Sequence, residues 1–463
     1  MISTAIAMTL LSASPYGAVP SKRQLAWHEM DQYVLVHFTP TTYENKEWGY
    51  GDADPAIFNP TEFDAEQIVK AVKAGKFKGL VLVAKHHDGF CLWPTKTTPY
   101  NISKSPFRGG KGDMVKEFEL ACRKNGLKFG VYCSPWDRNH PEYGRPAYAD
   151  VYREQLRELY SNYGKLFMSW HDGANGGDGY YGGAKETRNI DRATYYDWPQ
   201  NWAITRKMQP DACLFSDVGP DVRWVGNEHG EAAETSWATF TPKPLPGKTK
   251  VGPGEMQYQE SPMGTRNGEQ WLPAECDVPH RPGWFYHPEQ DSKVKTPEQL
   301  FDLYLKSVGR GGCLNLGVAP DTRGLLHDND VKSLAGFGEL LEERLTVNLA
   351  ALGRVEVDGK ALPQKNRLVD KDRYKEVTGS EFVVEWSSPI DASYVRIREN
   401  IKLGQRIDSW KVQGFTGADW EDLGKGQSVG SNRTIAISGK GVTKVKVTIS
   451  GPVPVNLSDL AVF

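Results

Sequence analysis

The chain has 463 residues, a net charge of −2 and no long basic run, so nothing in it forms an electrostatic footprint for nucleic acid. No stretch reaches the roughly 18 apolar residues of a transmembrane helix, and no membrane span is expected. The length suits two or three domains, with allowance for barrels that run large. Six cysteines at positions 91, 122, 133, 213, 276 and 313 form no CxxC pair, which disfavours structural zinc and favours buried free thiols. Aromatic residues make up 11%, a content that fits sugar-stacking clefts and large cores alike.

The start, "MISTAIAMTLLSASPYGAVPS", has a short apolar run and small residues before a plausible cut, but no positive n-region. Residues 1–20 therefore read as a weak or truncated export signal, and the expected location is periplasmic or secreted. From residue 21, short apolar runs alternate with helical patterns. Strands are predicted at 33–38, 79–84, 128–133, 165–170, 212–217 and 313–318. Between them, 64–75, 112–126, 148–164 and 194–209 carry apolar residues at spacings of three and four, as amphipathic helices do. Continuous apolar strands alternating with helices imply a parallel sheet covered on both faces. Repeated over residues 21–348, the pattern predicts a (β/α)8-like TIM barrel. No strand stands out between 218 and 312, so irregularity is expected there. A helix at 328–345 closes the barrel. From 349 to 463, runs such as "RVEVDG", "YVRIREN", "SWKVQGF", "TIAISG" and "KVKVTIS" alternate at period two, which predicts a C-terminal antiparallel β-sandwich.

Barrel active sites form where the strands end. Those positions hold His37, the run His86-His87-Asp88, Tyr132, the run Trp170-His171-Asp172, and Asp217. Histidines after two strands and an aspartate after a third describe a converging polar pocket. His37, His86, His87 and Asp172 are types that ligate zinc, yet no HExxH or comparable spacing is present. The pattern therefore favours a site without metal or cofactor. Asp172 lies in "FMSWHDGANGG". There Trp170 offers an apolar face and the glycines let the backbone turn without a Cβ penalty. That setting suits a nucleophile approached by a sugar ring, and equally a turn aspartate capping its own loop.

The blocks "HFTPTTYENKEWG", "AKHHDGFCLW", "GVYCSPWD", "SWHDGANG", "RWVGNEHG", "RPGWFYH" and "SVGRGGCLNLGVAPDTRG" occur in this order. Together they resemble glycoside hydrolase family 29, the retaining α-L-fucosidases, over about residues 20–345. "RWVGNEHG" and the C-terminal module are similar to the branch called subfamily B, which prefers α-1,3/1,4-linked fucose. The resemblance implies that Asp172 is the nucleophile. It also implies that His37, Glu47, Trp48, His86, His87, Tyr132 and Trp170 line the fucose subsite and that Trp284 closes it. The partner implied is a fucosylated oligosaccharide or glycoconjugate. Glu228 in "GNEHG" is the choice for acid/base, with Glu275 and Glu231 as rivals. His171 departs from the family, which usually has a hydrophobic residue there. It either faces the barrel wall or alters the nucleophile and the pocket. Two alternatives stay open: an exo-glycosidase for another terminal sugar, such as a galactoside, and an inactive carbohydrate-binding relative. The C-terminal module resembles galactose-binding-like domains, and packing against the barrel is its favoured role.

Overall fold

Strands buried on both faces have no reason to alternate polar and apolar residues, and the strands here do not. The computed structural model describes residues 14–216, 219–363, 368–369 and 372–463. In chain order the barrel strands are β1 (Gln32–Val36), β2 (Gly79–Lys85), β3 (Lys128–Cys133), β4 (Met168–Trp170), β5 (Cys213–Phe215), β6 (Arg223–Trp224), β7 (Ala274–Pro279) and β8 (Cys313–Val318). They pair in the order β5-β4-β3-β2-β1-β8-β7-β6, every pairing parallel. β5 and β6 at the two ends meet through an isolated bridge, Phe215 to Val222. The sheet is thus a nearly closed eight-stranded barrel with a seam.

Helix α1 (Lys22–His28) precedes β1. Helices α2 (Ala65–Ala74), α3 (Met114–Asn125), α4 (Tyr148–Asn162) and α5 (Trp198–Met208) follow β1 to β4, and α6 (Pro297–Lys306) and α7 (Asp328–Leu345) follow β7 and β8. Among the described residues no helix lies between β5 and β6 or between β6 and β7. The excursion from 225 to 273 instead carries a short antiparallel pair, Thr239–Phe240 with Gln270–Trp271. This is the irregularity expected from sequence. β6 is two residues long, and β7 includes Glu275 and Asp277, so neither makes an apolar run. α6 was unpredicted although it carries a start signal: Pro297 at its first turn and a capping box between Thr296 and Gln299.

Two apolar cores result. Tyr33, Leu35, Val81, Val83, Tyr132, Met168 and Trp170 fill the barrel interior. The alternating positions, such as Val34, Leu82, Val131 and Leu316, pack outward against Ile68, Phe118, Leu156 and other helix residues. All six cysteines are buried free thiols. Among the described residues no helix is long and apolar enough to cross a membrane.

The C-terminal sheet contains β9 (Arg354–Val357), β10 (Glu381–Arg398), β11 (Ser409–Phe415), β12 (Trp420–Gly426), β13 (Arg433–Ser450) and β14 (Asp459–Val462), paired antiparallel around one core. Here the sequence reading divides too finely. "TIAISG" and "KVKVTIS" are halves of the single strand β13, and "YVRIREN" is the end of β10. The Gly-Lys-Gly between the halves reads as a turn, but register shifts between Glu385 and Tyr394 absorb the irregularity while pairing continues. The sheet packs on the barrel through Phe301 of α6, edge-on to Tyr394 at 5.6 Å. Arg433 Nη1 also donates to the Glu234 carbonyl at 2.9 Å. Of the N-terminal stretch read as an export signal, residues 1–13 lie outside the described residues, as does Asp217.

Helix α7 crosses α2 at Gly338. A Cβ there would stand 1.9 Å from the Ala74 carbonyl oxygen and 3.0 Å from its carbon. Both are backbone atoms at a helix end and cannot swing aside. Gly338→Ala is expected to destabilise the protein by about 1–3 kcal/mol, despite alanine's better helix propensity. A thermal midpoint equal to or above that of the parent would show that the two helices do not approach this closely.

Candidate active site

The C-terminal ends of the barrel strands surround a cavity of about 680 Å³. Its floor follows from the two-residue period of β4. Met168 and Trp170 face the interior, and Asp172, two residues on, continues the same face into the cavity. Ser169 and His171 face the opposite way, toward α4. There Tyr160 Oη bonds Ser169 Oγ at 2.7 Å and Tyr152 Oη bonds His171 Nδ1 at 2.6 Å. His171 is fully buried and held neutral by burial, its pKa down to about 3. Its ring is 5.5 Å from that of Trp198. Of the two readings for this residue, the barrel-wall reading is the one the geometry supports.

Asp172 accepts from Tyr132 Oη at 3.0 Å and from the Ala174 backbone N–H at 2.6 Å, and His87 Nε2 stands 3.9 Å away. The Asp172 side chain is 24% exposed, and the exposed part faces the cavity. Burial raises its pKa above the ordinary carboxylate value, while the Ala174 N–H, the Tyr132 hydroxyl and the Arg192 charge pull it back down. The glycine directly after Asp172 is not the one that bends the chain. The positive φ values fall at Gly176 (88°) and Gly177 (141°), further along the loop.

β2 ends at Lys85, so His86 and His87 are no longer bound to opposite faces, and both line the cavity with rings 4.1 Å apart. Ser134 Oγ bonds His87 Nδ1 at 2.7 Å. His37, after β1, packs at 5.2 Å against Trp284. Burial lowers the pKa of His37 and His87 to about 3 and that of His86 well below its usual value. Three neutral imidazoles, each able to donate and to accept, suit sugar hydroxyls. Asp88 turns away and ties two loops, accepting from Thr39 Oγ1 at 2.7 Å and Thr41 Oγ1 at 3.1 Å.

The remaining predicted residues also reach the cavity. Glu47 accepts the backbone N–H of Trp284 at 2.8 Å and meets His287 Nε2 at 2.6 Å, which couples the loop after β1 to the loop after β7. Trp48 is half exposed, edge-on to His87 and Trp136. Trp170 stacks between Tyr132 and Phe215, at 4.9 and 4.1 Å. Glu228 lies in the loop after β6. Burial and the charges of Asp172 and Glu47 raise its pKa, against a lowering hydrogen bond with Trp284.

The rivals of Glu228 lie elsewhere. Glu231 pairs with Lys306 at 3.0 Å and does not line this cavity. Glu275 is fully buried below the cavity floor. It accepts from Trp170 Nε1 at 2.7 Å and Asn315 Nδ2 at 2.8 Å, and bonds the Tyr33 hydroxyl. Sequence reasoning missed Asp277 and Trp224. Asp277 lies two residues after Glu275 on the same face of β7 and lines the cavity. It accepts from Trp224 Nε1 at 2.7 Å. The period-two spacing was a usable signal, but only once β7 was known to be a strand. Among the described residues no group of three or more His, Cys, Asp or Glu side chains is arranged to hold a metal ion.

A parallel barrel with carboxylates, neutral histidines and tryptophans around a cavity at its strand ends has the chemistry a glycoside hydrolase needs. Residues 14–344 match the family described as Alpha-L-fucosidase, and the chain belongs to that family, glycoside hydrolase 29. It is 37% identical to Alpha-L-fucosidase 1 of Arabidopsis thaliana, covering 91% of this chain and 82% of that protein. Among solved structures it is similar to a glycoside hydrolase 29 family member from an unknown rumen bacterium. That match has 38% identity, a TM-score of 0.87, and coverage of 97% of this chain and 78% of that one. A Ruminococcus gnavus GH29 fucosidase in complex with fucose matches with 28% identity and a TM-score of 0.84, covering 98% and 96% of the two chains.

Burial raises the pKa of Glu275 from 4.5 to about 7. Between those values the folded state holds a proton that the unfolded state has lost, so this stabilisation is full below about pH 4.5 and fades as pH rises toward 7. The parent should therefore lose about 1–3 kcal/mol relative to Glu275→Gln across that range. Thermal midpoints of both proteins at pH 4.5 and pH 7.5 check this. A constant difference between them would mean that Glu275 keeps an ordinary pKa.

Proposed function

We propose that this α-L-fucosidase removes terminal α-1,3/1,4-linked L-fucose from glycans by double displacement with retained configuration. The observation that carries the reading is the Asp172 carboxylate. It is anchored by Tyr132 and the Ala174 N–H, opens into the same cavity as Glu228, and its charge helps keep Glu228 protonated. Retention needs two carboxyl groups about 5–5.5 Å apart, one ionised and one protonated. Burial raises the pKa of both carboxyls; the Tyr132 hydroxyl and the Ala174 N–H favour the charged form of Asp172, and that charge favours the protonated form of Glu228.

In the first step an Asp172 oxygen attacks the anomeric carbon. The glycosidic bond breaks, its electrons go to the leaving oxygen, and Glu228 supplies the proton. In the second step Glu228 takes a proton from water, the hydroxide attacks the same carbon, and the Asp172 ester bond breaks. His37, His86 and His87 supply the fucose hydroxyls with donors and acceptors. Leu35 and Phe215, which also line the cavity, give the fucose methyl group an apolar wall. The linkage preference rests on the likeness of "RWVGNEHG" to subfamily B and is decided by a panel of linkage-defined fucosyl oligosaccharides.

Asp172→Ala is expected to lower turnover of every fucoside by more than about 10³-fold. With azide it should form the β-fucosyl azide from an α-aryl fucoside, configuration inverted. Near-normal turnover without azide would contradict the nucleophile assignment.

Glu228→Ala should lose activity on an oligosaccharide by about 10²–10⁴-fold while barely slowing release of an acidic phenol. The parent's kcat/KM should fall at high pH as Glu228 loses its proton, at a pH above the ordinary carboxylate range because its pKa is raised. That high-pH limb should be strong for the parent on the oligosaccharide and weak on the aryl fucoside, and Glu228→Gln should lack it in its residual oligosaccharide activity. If Glu275→Gln alone shows this leaving-group dependence, Glu275 is the acid/base residue.

A further inference from the structure

A second cavity of about 520 Å³ lies beside the first, between the 228–231 loop, the end of β7 and the N-terminal half of α6. The two cavities share Glu228, His229, Pro279 and Pro282 in their walls. A general acid must lie within hydrogen-bond reach of the oxygen it protonates. If Glu228 is that acid, as proposed above, the leaving sugar rests against it, and the space on its other side is this second cavity.

Its walls suit a polyhydroxylated ligand. Lys295 is half-buried there, and burial lowers the pKa of its ammonium group. One N–H donates to the Pro279 carbonyl at 2.5 Å, and an ammonium group has three donors to give. Glu298, in the first turn of α6, is exposed. Among the described residues no hydrogen bond or ion pair engages its carboxylate. Apart from the His229 imidazole, no aromatic ring lines this cavity. A ligand here is therefore held by hydrogen bonds rather than by stacking on indole or phenol faces. The volume falls within the range of sites that enclose drug-sized molecules, larger than a single sugar ring needs.

We infer that this second cavity is the leaving-group subsite, that it takes an oligosaccharide of two or more sugars, and that Lys295 and Glu298 are its specificity-determining residues. Neither lines the fucose cavity, so their influence is confined to the aglycone side. A fucoside whose leaving group is a small phenol should not sense them. A fucosyl oligosaccharide should lose its charge-assisted hydrogen bonds when they are removed.

The test uses the full chain and the variants Lys295→Met, Glu298→Gln and their double. Two substrates are compared: an aryl α-L-fucoside with an acidic phenol, and a fucosylated tetrasaccharide. The single variants should lower kcat/KM for the tetrasaccharide by about 10-fold and the double by more. The aryl fucoside should stay within about 2-fold of the parent, which also serves as the control for folding. Wild-type kcat/KM should rise from a fucosyl disaccharide to the tetrasaccharide, and the double variant should abolish that rise. Equal losses on both substrates, or no loss on either, would overturn the inference. Failure of the Glu228 assignment is seen separately, in the leaving-group dependence of Glu228→Ala, which these variants leave intact.

Discussion

A carboxylate inside a protein must be kept charged against its own desolvation, and Asp172 lies at that balance. Burial pushes its proton affinity up. A backbone N–H and a tyrosine hydroxyl, aimed at it from a loop and from β3, pull it down. Tyr132 is itself fixed by Trp170, which stacks on it from the neighbouring strand. Trp170 in turn is held by Glu275 from across the barrel and by Phe215 from β5. The interior of the barrel is therefore a chain of supports that ends at one carboxylate. The cavity above it has little freedom to place that group anywhere else.

The seam between β5 and β6 bears on the same point. A regular barrel would put helices after both strands. Here the chain uses that length for the excursion from 225 to 273, whose first residues carry Glu228 across the mouth of the cavity. Asp221 secures the seam from below, accepting from Arg23 at 2.8 Å, from Arg206 at 2.6 Å and from the Leu214 N–H at 2.7 Å. The rigid strands hold the Asp172 side, and the irregular part of the fold supplies Glu228. Loops on a rigid scaffold are the usual place for residues that contact ligands.

Much of this was legible in the sequence where the physics is local. β3 and β8 run as read because continuous apolar runs mark strands covered on both faces. The histidines after β2 and the aspartate after β4 lie where strand ends converge. What escaped is non-local. β7 hides because its inward side chains are Glu275 and Asp277, polar residues that a barrel interior tolerates only with partners from Tyr33, Trp170, Asn315 and Trp224. No window of the sequence displays those partners. β13 was divided at its glycines because a turn and a bulge have the same local composition. His171 was ambiguous for the same reason. Its side follows from the alternation of β4, but its neutrality follows from burial beneath α4, whose Tyr152 bonds its Nδ1.

The central claim, that Asp172 forms a bond to the sugar, is open to direct observation. A 2-deoxy-2-fluoro-L-fucosyl fluoride slows both steps but departs readily from its fluoride, so the intermediate accumulates. After digestion and mass spectrometry one added fluorofucosyl group is expected, on the peptide that contains Asp172 and on that carboxylate. A label on Glu228, Glu275 or Asp277, or hydrolysis to the inverted sugar with no labelled peptide, would contradict it.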